Sequence, residues 1–133
     1  MTKAQAAQKA LDRWVNILAL GHWEIDLVLV DAEYVDADAN SADFGVIGKV
    51  DRHFPSLSAT VTVASKQPAQ DIAETIRHEL LHLVMTELGV VAYALANYRG
   101  DEGRHAAKED IAIAEEHAVR TLERAYDRLG VPA

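Results

Sequence analysis

A chain of 133 residues, half of them apolar and 26% charged, has the make-up of one folded domain and not of a disordered segment. It contains no cysteine, which excludes disulfide scaffolds, thiolate zinc fingers, iron–sulfur clusters and cysteine nucleophiles. A net charge of -8 opposes polyphosphate and anionic lipid, so neither nucleic acid nor a membrane is expected as partner.

Residues 3–20 carry a helical stripe of Ala7, Leu11, Trp14, Val15 and Leu18, with Gly21 as the expected stop. Trp23, Ile25, Leu27 and Leu29 then alternate with Glu24, Asp26 and Val28, the period of a half-buried strand. Residues 31–43 are acidic and read as a solvated loop; residues 36–40 open like a calcium loop, but Ser41 replaces the turn glycine and Ile47 the final glutamate. Two more strands are expected at 44–54 and 57–64, parted by Pro55 and Ser56, the second placing Leu57, Ala59, Val61 and Val63 on one face. Asp71 and Glu74 suggest a capped helix start, and the helix runs to about residue 88 with Ile72, Ile76, Leu80, Leu81, Leu83 and Val84 almost surrounding it, the mark of a central helix. Residues 90–98 are also of helical character. A polar turn follows at 97–103, then a long amphipathic helix over residues 105–129, stopped by Gly130 and Pro132. A helix, a group of strands and further helices in that order give an α+β domain spanning 1–133, with a small, mostly antiparallel three-stranded sheet. With no apolar leader after Met1 and no run of about 18 apolar residues, the expected location is cytoplasmic.

The chemistry is concentrated in His78-Glu79-Leu80-Leu81-His82 on the central helix. Positions four apart project to the same side of a helix, so both imidazoles can reach one ion. Glu79 stands beside that side and can take a proton from a water activated by the metal. Two imidazoles and a carboxylate leave one tetrahedral position open, which suits Zn2+ in a catalytic site. The competing reading, two helix histidines with a salt-bridging glutamate, requires burying three polar groups in an apolar helix without a partner.

The third ligand is not supplied locally. Met85 and Leu88 occupy the places of the glycine and histidine of the extended motif H-E-x-x-H-x-x-G-x-x-H. The long last helix offers Glu115 and Glu116. A projection at about 100° per residue puts Ile111, Ala114, Ala118, Leu122, Ala125 and Leu129 on its buried face, with Glu115 inside that stripe, Glu116 at its edge and His117 pointing away. A carboxylate within an apolar stripe calls for a cation, so Glu115 is the first choice and Glu116 the reserve. Failing that, Glu115 would be a surface residue paired with Lys108 or Arg120.

The HELLH string with a downstream glutamate on a separate helix resembles the gluzincin metallopeptidases. The short chain and its element order are similar to the single-domain minigluzincins and to small metallopeptidases of bacterial and phage genomes. The resemblance implies a zincin-like domain and a zinc-dependent metallopeptidase in which His78, His82 and Glu115 hold the metal and Glu79 is the general base. Family members often place an aspartate four residues after the glutamate; here Val119 stands there, while Glu123 and Asp127 have that spacing. It also implies an edge strand that pairs with the substrate main chain, for which residues 57–64 are the candidate. A Tyr or His would stabilise the oxyanion, with Tyr93, Tyr98, His53 and His105 all eligible. The expected substrate is a short peptide or an unstructured protein segment, and activity would be narrow or latent, with residues 120–133 able to fold over the cleft. The alternative is a non-catalytic, zinc-stabilised binding or accessory protein that keeps the HExxH site.

Overall fold

Thr2 opens helix α1 (Lys3–Ile17) through a reciprocal cap, its hydroxyl accepting from the Gln5 backbone N–H while the Gln5 side chain accepts from the Thr2 N–H. The buried face of α1 is Ala7, Leu11 and Trp14, as its sequence period requires. The helix does not stop at Gly21. Ala19 takes the left-handed conformation (φ 55°), and the N–H groups of Ala19 and Leu20 donate to the carbonyls of Asn16 and Val15. This is a Schellman closure with alanine where glycine is usual.

The computed structural model describes residues 1–35 and 46–133. The calcium-loop resemblance at 36–40, most of the acidic stretch and the first two residues of the second expected strand lie outside the described residues. Strands β1 (Glu24–Val30), β2 (Gly48–His53) and β3 (Ser58–Ala64) form one sheet in the order β1-β3-β2. The expectation of a mostly antiparallel sheet is corrected. β3 pairs antiparallel with β2 across the tight turn at 54–57 but parallel with β1, Leu27 standing opposite Val61. β3, last of the three in the chain, lies between the other two. Residues 57–64 are therefore the central strand and not an edge. Ala59, Val61, Val63 and Ala64 are buried there, and Thr62 with them, as befits a strand covered on both sides by neighbours.

Helix α2 (Ala69–Val84) begins directly after Pro68, so Asp71 is not its cap. Asp71 lies in the first turn, where its backbone carbonyl accepts from the Thr75 hydroxyl at 2.7 Å, and Glu74 accepts from the Gln70 side chain. The helix breaks at Met85 instead of running to residue 88, and α3 (Thr86–Ala96) follows. Helix α4 (Asp101–Arg128) starts a turn earlier than the sequence suggests, with Gly100 at its N-cap. Residues 120–128 are its unbroken last turns.

The chain forms two compact units, 1–80 with Ala133, and 81–132, the division falling within α2. In the first, Trp14, Val61, Val63, Ile76 and Leu80 are fully buried and the guanidinium of Arg77 lies 5.6 Å from the ring centre of Trp14. In the second, α3 packs on α4, and Leu81, Leu83, Ala96 and Val119 are buried. No single helix among the described residues is long and apolar enough to cross a membrane.

Candidate metal centre

The α2 backbone brings the two histidines of the HExxH string to one side, one turn apart, and a ligand nitrogen of each lies within 4.8 Å of the other. Both rings are half-buried. His82 occupies the last turn of α2, the end of the helix dipole that favours a cation. Its own carbonyl accepts from the Thr86 hydroxyl at 3.1 Å, which ties the start of α3 to the end of α2.

Within residues 81–132, α4 presents two successive carboxylates to the two nitrogens of His82. Glu115 Oε1 stands 2.7 Å from Nδ1, and Glu116 Oε2 stands 3.2 Å from Nε2. The other oxygen of Glu116 accepts from Arg120 Nε at 3.1 Å. Glu115 is buried, 8% exposed, and a side-chain carbon at Gly89 would come within 3.7 Å of its Oε2, so the glycine of α3 leaves room beside the carboxylate. His117 points to solvent, as expected.

The buried stripe of α4 is rotated from the sequence projection. It runs through Glu115 and Val119, whereas Ala114, Ala125 and Leu129, expected inside, are exposed. Alanine contributes little apolar area and so barely fixes the phase of a helix; the larger Val119 decides it. Arg120 pairs with Glu116, so the bland reading of Glu115 as a surface residue held by Arg120 does not describe it. The rival Glu123 and Asp127 lie two to three turns further along α4.

Glu79 is also buried, 8% exposed, and belongs to the first unit. A side-chain carbon at Gly48 would stand 3.6 Å from Glu79 Oε1 and 2.2 Å from Thr75 Cγ2. The start of β2 thus lies against α2 at the level of Glu79, and only glycine fits there. Among the described residues β2 pairs with β3 alone, so it is an edge strand of the sheet, and its first residue is the one that lies near Glu79. That close approach went unread in the sequence; a glycine opening a strand was its signal.

No protein-family model matches the chain, and no curated protein or solved structure is detectably similar to it.

The four oxyanion candidates sit on four different segments of the chain. Tyr98 is 90% exposed at the end of α3, and His105 is exposed near the start of α4. His53, exposed on β2, has Nδ1 2.7 Å from the Ser56 hydroxyl. Tyr93 is half-buried on α3.

The donors can be tested for their fit to a metal by their chemistry. An ionised carboxylate only accepts, so at 2.7 Å the proton shared with Glu115 sits on Nδ1. A neutral ring then has its lone pair on Nε2, facing Glu116 Oε2 at 3.2 Å. Two electron-rich atoms so placed need a positive charge between them, a metal ion or a second proton. Bonds of about 2.0–2.1 Å to one tetrahedral zinc would separate two ligand atoms by about 3.3 Å. The donor set fits such an ion.

Proposed function

We propose that the chain is a zinc-dependent metallopeptidase in which His78, His82 and a carboxylate from the Glu115–Glu116 pair hold the metal. The observation that carries the reading is the pairing of a same-side HExxH on α2 with α4 carboxylates at both nitrogens of His82. When bound, zinc supplies a Lewis acid that polarises the scissile carbonyl and lowers the pKa of a water. Glu79 is the general base: its buried carboxylate accepts the proton of the attacking water and returns it to the leaving amine. β2, an edge strand whose first residue Gly48 lies near Glu79, replaces 57–64 as the strand that would hold an extended peptide by main-chain pairing. An unfolded or loop segment is the fitting substrate, since only an extended backbone can add to an edge.

Metal analysis of purified wild type and of His78→Ala is the first test: about one zinc per chain is expected in the former and loss in the latter. Glu79→Gln should keep the zinc and lose cleavage of a peptide library by a factor on the order of 10² or more. Stoichiometric zinc without turnover at any pH would convert the reading to a non-catalytic, zinc-stabilised binding protein. Absence of zinc from wild type reconstituted with excess metal would remove it altogether.

A further inference from the structure

We infer that the two adjacent glutamates of α4 divide the work, Glu116 being the metal's carboxylate donor and Glu115 a positioning residue for His82. The inference rests on the metal reading above and reverses the order that the sequence suggests. Two distances separate the roles. Glu115 Oε1 and His82 Nδ1 are 2.7 Å apart, the length of a charge-assisted hydrogen bond and too short for two ligand atoms sharing one tetrahedral ion, which stand about 3.3 Å apart. Glu116 Oε2 and His82 Nε2, at 3.2 Å, match the second case.

The surroundings fix each carboxylate in its place. Glu115 is buried, with Oε2 turned toward the space that Gly89 leaves in α3. Its bond to Nδ1–H selects the tautomer whose lone pair is on Nε2 and holds the ring plane. Glu116 is more exposed, 37% for its side chain, and Arg120 engages Oε1, which leaves Oε2 turned to His82 as a monodentate donor. A carboxylate behind a ligand histidine sets its orientation and raises its basicity, and removal of such a partner costs about 10–100-fold in metal affinity.

The test uses the full chain and zinc itself, with affinity measured by competition against a chromophoric chelator. Glu115→Ala should still bind one zinc, 10–100-fold more weakly. Glu115→Gln, whose amide oxygen still accepts from Nδ1–H, should recover most of the loss. Glu116→Ala should hold no stoichiometric zinc after dialysis. In nitrogen-15 NMR of the zinc-loaded protein, His82 should show a protected Nδ1–H in wild type and Glu115→Gln that is lost in Glu115→Ala. Should Glu115→Ala fail to fold, retention of zinc and of that signal in Glu115→Gln decides the matter. Zinc retained in Glu116→Ala but absent from both Glu115 variants would reverse the assignment. Both variants binding like wild type would remove α4 from the metal shell while leaving the metal itself in place. Wild type that takes up no zinc would end this inference and the proposed function together.

Discussion

At Ala19 the backbone takes a conformation that L-residues adopt at a cost of about 1–2 kcal/mol, and the residue two positions on, Gly21, is spared it. The sequence points to Gly21 because glycine is the usual residue after a helix C-cap; the Schellman bonds instead close at Ala19 and Leu20, where Leu20 becomes buried. Ala19→Gly should therefore be stabilising by up to about 1 kcal/mol, after allowing for the extra freedom of glycine in the unfolded chain. Gly21→Ala should change little, because nothing lies within 4 Å of the added carbon and φ is not positive. Urea unfolding of the two variants checks this, and a loss of about 1 kcal/mol at Gly21 with none gained at Ala19 would move the cap back to the glycine. Other single residues divide by the same logic. That His78 and His82 share a side of α2 is legible, because helical spacing alone puts the two rings there. The order of Glu115 and Glu116 is not, since neighbours lie about 100° apart and the phase of α4 decides which nitrogen each one meets. The Thr2–Gln5 cap has a signature, Thr-x-x-Gln before an apolar stripe, that went unread.

Elements are legible one at a time and their pairings are not. Period-2 alternation gives the faces of β1 and β3, and both are buried or half-buried where Trp23, Ile25, Leu27, Val61 and Val63 require. It carries no information on which strand neighbours which, and here β3 pairs parallel with β1 and antiparallel with β2. The break at Met85 is similarly hidden, because no glycine or proline stands at it; the nearest, Gly89, lies inside α3. One close approach locks two elements. Gly48 opens β2 where a methyl group would stand 2.2 Å from Thr75 Cγ2, and Thr75 is buried, β-branched and tied to the Asp71 carbonyl. Gly48→Ala should thus destabilise by about 1–3 kcal/mol, the usual cost of overpacking. Thr75→Ser removes the obstructing methyl and keeps the hydroxyl, so the double variant should recover most of that loss. Chemical denaturation of the four proteins in this cycle measures the coupling, and additive losses would mean that the methyl of Thr75 is not what Gly48 accommodates.

On the scale of the whole chain, composition excludes much and selects little. The charge of -8 and the lack of cysteine leave His, Asp and Glu as the only strong metal donors, and a short chain of this size has a limited core from which to draw stability. A metal that binds the folded form alone then adds stability by mass action, about 4 kcal/mol when free zinc is 1,000 times its Kd. For a domain of this length that corresponds to a fall in Tm on the order of 10 °C when a chelator strips the ion. Wild type should show this fall and regain its Tm on adding zinc, while His78→Ala should melt at one temperature with or without chelator. Glu79→Gln should behave as wild type, because the proposed role of Glu79 is to take a proton during turnover and not to hold the ion. The three curves distinguish a metal built into the fold from one picked up at the acidic surface, since surface binding would leave all three proteins equally indifferent to chelation.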